Sequence, residues 1–157
     1  MSQRPLSAPV SDFLSGKRFA VAGVSRGGQL PANAIFRKLK SSGYEVVPVN
    51  PNAATVEGER CYPDLASVPG ALDGVVVAAH PGVGAELVRQ ACERGISRIW
   101  FHRSFGNGSV SDAALAECAA RGVTPIVGGC PLMYCRPVDP AHRCFRWWLR
   151  LRRRIPG

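Results

Sequence analysis

From residue 17 to residue 130 the chain keeps returning to one unit: a short apolar run, a glycine or turn, a stretch with helical spacing, then another apolar run. The apolar runs are Phe19-Ala20-Val21-Ala22-Gly23, Glu45-Val46-Val47-Pro48-Val49, Gly74-Val75-Val76-Val77-Ala78-Ala79, Arg98-Ile99-Trp100-Phe101 and Val123-Thr124-Pro125-Ile126-Val127. They are continuous rather than alternating, which suits strands buried on both faces of a parallel sheet. Between them, residues 32–42 place Ile35, Phe36 and Leu39 on one helical face and Arg37 and Lys40 on the other, with Gly43 as the stop. Residues 82–94 turn Val83, Leu87, Val88 and Ala91 inward before Gly95, and Ser109 opens a further helix with Asp112 in a capping-box position, closed by Gly122. Strands separated by helices form βαβ units with right-handed crossovers. The expected fold is α/β, one doubly wound, mostly parallel sheet of five or six strands.

Other stretches are less patterned. Pro48 cannot donate a ladder hydrogen bond, so the second strand belongs near an edge or is irregular. Arg60-Cys61-Tyr62 is expected as a short third strand and residues 64–68 as a short helix. Residues 1–16, rich in Ser and Pro without an apolar core segment, are expected to be a flexible extension and not a secretory signal. Residues 131–157 form an extension in which Phe145, Trp147, Trp148 and Leu151 suggest a helix packed on the domain.

Length and composition bound the function classes. A chain of 157 residues, 46% apolar and 20% charged, is one domain with a real core. No apolar run approaches the roughly 18 residues of a membrane span, and without an export signal a cytoplasmic protein is expected, with its six cysteines as thiols or metal ligands rather than disulfides. The net charge is +9, but without Arg143, Arg146, Arg150, Arg152, Arg153 and Arg154 it falls to +3. The basic character is therefore that of a C-terminal stretch. It reads as a solvated helix end, or as a contact for nucleic acid, anionic lipid or an acidic partner; nucleic acid is the disfavoured partner of the domain itself.

Ligands of doubly wound sheets lie beyond the carboxyl ends of the strands, where strand order reverses. Five segments should meet there: residues 23–31, 50–52, 80–81, 102–108 and 128–130. The first is a glycine-rich loop before a helix, suited to phosphate through backbone N–H groups, with the Ser25 hydroxyl and the Arg26 charge beside them. Gly23 and Gly28 meet only part of the dinucleotide pattern, Ser25 replacing its second glycine. Val49-Asn50-Pro51-Asn52 lacks the carboxylate that holds the ribose of NAD, which disfavours that cofactor. Gly23-Val24-Ser25-Arg26-Gly27 also spells a nucleophile elbow, but Ser25 follows the first strand, whereas several strands precede the elbow of a hydrolase.

The ordered series Ala22-Gly23-Val24-Ser25, Gly43-Tyr44, Pro48-Val49-Asn50-Pro51, Gly58, Cys61-Tyr62-Pro63 with Leu65, Trp100-Phe101 and Cys130 resembles the small stand-alone CoA-binding proteins. These have a Rossmann-like domain similar to the CoA-binding domain of the succinyl-CoA synthetase alpha subunit. The resemblance implies a CoA-binding domain over residues 17–130, with the pyrophosphate of coenzyme A by Gly23, Val24 and Ser25 and the adenosine near Asn50 and Pro51. Arg26 and Arg103 are the expected phosphate donors. His80, Pro81 and His102 complete the expected ligand-binding set. The resemblance implies binding of a small nucleotide ligand and supplies no turnover chemistry, so no catalytic residue is assigned. The alternatives are a small nucleotide-dependent or acyl-CoA-handling enzyme using His80 or His102, and an interaction module acting through the basic tail.

Cys130, Cys135, His142 and Cys144 carry thiolate and imidazole groups of the kind that bind zinc, at a spacing foreign to zinc fingers and ribbons. They are a candidate metal set. The other reading is that Cys130 and Cys135 are small residues beneath the terminal helix. Oligomeric state is not legible in the sequence.

Overall fold

A computed structural model describes residues 6–103, 108–138 and 140–152, with the side chains at 145 and 150 outside that description. Five parallel strands form the main sheet, in the order β2-β1-β5-β6-β7. They are β1 (Arg18–Ala22), β2 (Glu45–Val49), β5 (Gly74–Val77), β6 (Ile99–Phe101) and β7 (Ile126–Val127). Residues 55–56 (β3) and 59–60 (β4) make a separate two-stranded hairpin. The chain leaves β1 for β2 on one side and returns to β5 on the other, so strand order reverses at β1. This is the α/β, Rossmann-like architecture expected, and Pro48 does lie on an edge strand.

Side chains alternate across the sheet and divide the core into two layers. Phe19, Val21, Val76 and Trp100 face a layer shared with α2 (Pro31–Ser41), while Ala20, Ala22, Val75, Val77 and Phe101 face α3 (Gly84–Glu93) and α4 (Asp112–Ala120). On the first side Phe13 stacks on Phe19 with centroids 4.8 Å apart and meets Trp100 edge-on at 5.3 Å. The buried indole N–H of Trp100 donates to the Gly128 carbonyl at 3.1 Å, so the largest core side chain leaves no orphan donor.

Several elements differ from expectation. Within residues 1–16, Ala8–Leu14 forms a helix (α1) with Val10 and Phe13 buried, so this part is docked on the sheet rather than free of it. The third strand falls at Thr55–Val56 and Glu59–Arg60, not at 60–62; Tyr62 makes only an isolated bridge to Val49. Glu57 and Gly58 both take positive φ, 51° and 75°, the geometry that closes a two-residue hairpin.

Residues 64–68 form no helix. The Arg94 guanidinium donates to the carbonyls of Leu65, Ala66, Val68 and Gly70, and Arg18 to those of Pro69 and Ala71. Backbone acceptors that a helix would satisfy internally are satisfied by two side chains instead. α4 is capped by Ser111, whose hydroxyl accepts from the Ala114 amide; Ser109 lies buried ahead of it. The last strand shrinks to two residues because Pro125 has no N–H.

The C-terminal helix α5 (Pro140–Leu151) packs through Leu149 and the half-buried Trp148. Trp147 and Leu151, expected inward, point to solvent; the Phe145 side chain lies outside the description. No helix among the described residues is long and apolar enough to cross a membrane.

Candidate functional site

At the strand-order reversal the loops after β1, β2 and β5 border a cleft of about 430 Å³. Its floor is Ala22, Gly23 and Ala78–His80, one wall is Val49–Asn52 with Pro63 and Asp64, and the other is Val83 with Glu86, Leu87 and Gln90 of α3. A second cleft of about 400 Å³ lies beyond Ala78–His80, bordered by Pro31, Pro81, His102, Gly108 and Ser109. The two share Ala78, Ala79 and His80.

Gly23 makes this junction possible. Its φ is +103°, and a Cβ there would come within 2.6 Å of the Ala78 carbonyl oxygen. Only glycine lets the β1 and β5 loops approach so closely.

The loop after β1 is held by Asn33, a fully buried polar residue in the first turn of α2. Its Oδ1 accepts from the Ser25 amide at 3.0 Å and the Ser25 hydroxyl at 3.2 Å, while its Nδ2 donates to the Ser25 carbonyl at 2.8 Å and to Glu57 at 2.7 Å. Glu57 also pairs with Arg37 at 2.6 Å, and Arg37 donates to the Gly28 carbonyl. The β3–β4 hairpin is thereby latched to the first loop. On the other side the Asn50 side-chain amide donates to the Val24 carbonyl at 2.8 Å, and Asn50 Oδ1 accepts from the Asn52 amide.

This arrangement changes the expected phosphate geometry. The Gly23 amide already donates to the Val49 carbonyl and the Ser25 amide to Asn33, and Val24 is fully buried. Two of the three amides at the mouth of β1 are thus engaged within the fold. Further along the loop, Arg26 and Gly27 are exposed, and among the hydrogen bonds of the described residues none is donated by their amides.

Gly23, Asn50, Pro51 and His80 border the larger cleft; Pro81 and His102 border the smaller one. Val24, Ser25, Arg26 and Arg103 line neither, and the Arg103 backbone is turned into a bridge with Gly129. His80 Nδ1 accepts from the Gly82 amide at 3.1 Å, capping the turn that leads into α3. Burial holds the His102 imidazole below its ordinary pKa and so favours the neutral ring.

Among the described residues the lining of the larger cleft holds no Lys or Arg. Its two carboxylates are engaged: Glu86 takes Arg89 and Gln90, and Asp64 accepts from Ser67; these bonds hold both below the usual carboxylate range. Asn33, Glu57, Glu86 and Gln90 were not singled out in the sequence. Asn33 alone left a trace there, a polar residue on the face that carries Phe36 one turn later.

The candidate metal set does not assemble. Cys130 and Cys135 are buried, whereas Cys144 is exposed on α5. Burial pushes the thiols of Cys130 and Cys135 up to about 12 and about 11. Among the described residues no three His, Cys, Asp or Glu side chains gather in a metal-binding group.

Comparison with known proteins adds an independent line. The chain is 31% identical over 87 residues to acetate–CoA ligase [ADP-forming] II of Archaeoglobus fulgidus, a match covering 54% of this chain but only 13% of that much longer protein. It is 27% identical over 133 residues to the uncharacterized protein YneT of Bacillus subtilis, covering 82% of this chain and 93% of that one. Among solved structures, a conserved hypothetical protein from Pyrococcus furiosus superposes with a TM-score of 0.62 at 31% identity, over 72% of this chain and 93% of that chain. The family described as CoA binding domain matches residues 17–136, the whole sheet with its helices and the turn beyond β7, and the protein belongs to that family.

Proposed function

We propose that this chain binds coenzyme A or an acyl-CoA across the carboxyl ends of β1, β2 and β5, as a binding protein without turnover chemistry of its own. The observation that carries the reading is the cleft at the strand-order reversal, floored by Gly23 and walled by Asn50–Asn52. Family membership supplies the ligand class. The adenosine end lies against Asn50 and Pro51, where the wall is uncharged. The phosphates lie at the loop's outer turn, toward the amides of Arg26 and Gly27 and the Arg26 guanidinium, because the Gly23 and Ser25 amides have other partners. The pantetheine arm passes Ala78–His80 toward the smaller cleft. The cleft so described is a nucleotide-binding site in which Arg89 offsets the charge of Glu86, so the phosphates are kept to the loop side, away from Asp64, which remains ionised on the far wall.

A ligand that binds only the folded chain raises its melting temperature by mass action. Thermal unfolding with CoA, dephospho-CoA and ATP tests the reading, with Arg26→Ala beside the wild type. The expected result is a concentration-dependent rise with CoA, reduced in the variant. The absence of any rise at millimolar CoA refutes the proposal.

A further inference from the structure

We propose that α5 is an interfacial helix that seats this protein on an anionic phospholipid surface. The helix has two unlike sides. One is fixed to the domain: Leu149 is buried, Arg146 donates to the Met133 carbonyl at 2.8 Å and lies over the Tyr134 ring, and Trp148 is half-buried. The other carries Pro140, Arg143, Cys144, Trp147 and Leu151, all exposed and spaced as a single stripe along the helix. Trp147 is 66% exposed and Leu151 64%, two of the few large apolar side chains that the described surface leaves open.

Charge selects the occupant. From residue 140 to residue 157 the sequence has six arginines and no acid. Arg143 and Arg152 are exposed, and Arg152 lies over the Trp148 ring at 4.6 Å. An indole and a leucine flanked by guanidinium groups match the boundary between acyl chains and anionic headgroups. A second copy brought onto this face with its own α5 would set arginines against arginines. Nucleic acid would need cations at the centre of the stripe, where Cys144, Trp147 and Leu151 stand instead. The helix is short and its far side is held by the domain, so it lies along the surface and does not span it.

The test is flotation of the full chain with vesicles of phosphatidylcholine alone, or with about 40% phosphatidylglycerol, at low and high salt. Expected is binding to the anionic vesicles only, weakened by salt. Replacing Trp147 and Leu151 by Ala together should lower the partition coefficient by roughly tenfold or more, because both apolar anchors are lost. Arg143→Glu should weaken binding and flatten its salt dependence. Both sites are exposed, and an unchanged melting temperature and far-UV spectrum show that the fold is kept. The proposal is overturned by no binding to anionic vesicles at low salt, or by binding that the double variant leaves intact. It is also overturned if the double variant abolishes dimer formation or oligonucleotide binding while vesicles are never bound.

Discussion

Replacing Asn33 by alanine tests the latch on which the candidate site depends. In the wild type this amide satisfies the Ser25 N–H and carbonyl and shares Glu57 with Arg37. Alanine orphans the Ser25 N–H and leaves the Ser25 carbonyl with only the longer bond from the Gly28 amide at 3.4 Å, while Glu57 keeps its arginine. A buried polar group left without a partner costs about 1–3 kcal/mol. Ser25 is only half-buried, so water recovers part of that, and with the weakened carbonyl pairing a loss of about 2 kcal/mol in all is expected. For a chain of this length that corresponds to a melting temperature lower by about 4–8 °C.

Urea unfolding followed by circular dichroism measures the loss directly, an unchanged slope confirming that only stability has moved. Asn33→Asp sharpens the test. The new carboxylate would sit where Nδ2 now lies, 2.7 Å from Glu57 Oε1, and two carboxylates that close cannot both ionise. The pair's upper pKa rises in the folded state, so the native form binds more protons than the unfolded chain, and stability increases as pH falls. The aspartate variant should therefore be weak at neutral pH and recover in acid relative to the alanine variant. An alanine variant within about 0.5 kcal/mol of wild type, or an aspartate variant without the acid recovery, refutes the latch.

Three further outcomes are expected. Gly23→Ala, forced to a positive φ with its Cβ against the Ala78 carbonyl, should cost at least about 2 kcal/mol in the same unfolding assay, and a variant as stable as wild type refutes the close approach. A thiol reagent at about pH 8 should label exposed Cys144 at once, while Cys118, Cys130 and Cys135, buried and raised to about 11, about 12 and about 11, wait for unfolding; Cys144→Ser should remove the fast phase. Because the folded pKa of His102 lies below its ordinary 6.5, the unfolded chain takes up the proton first, so this contribution is full above pH 6.5 and is lost as pH falls through the folded value. His102→Asn should flatten the fall in stability below pH 6.5, and an unaltered profile counts against the buried imidazole.

What the sequence disclosed follows the range of the forces involved. β1, β5 and β6 are legible because their residues are buried on both faces, which writes unbroken apolar runs into the chain. α2 and α3 are legible from spacing. α1 was hidden by its Ser/Pro composition, although Val10 and Phe13 stand one turn apart and Pro9 is tolerated in a first helical turn. The β3–β4 hairpin is not legible, and a single strand at 60–62 is expected in its place, because the turn puts Glu57, not a glycine, at the first positive φ.

The meeting of the loops after β1, β2 and β5 follows from topology and was foreseen from it. Which amides remain open there was not, because that depends on Asn33 and Val49, partners set by tertiary packing rather than by any local pattern. Arg103 was expected at the site from its position after β6, but its backbone turns toward Gly129.

The two guanidinium groups that grip residues 65–71 have a consequence for the cleft. This stretch has no ladder or helix of its own to nucleate, and its shape exists only once β1 has delivered Arg18 and α3 has delivered Arg94. Pro63 and Asp64, at its start, form part of the cleft wall. The closure entropy of these contacts is of the same order as that of the β1–β5 pairing, so the stretch settles with the sheet and not as a local unit. A chain in which either arginine is undocked would therefore present a groove lacking part of its wall, so occupancy of the cleft is coupled to the integrity of β1 and of the end of α3.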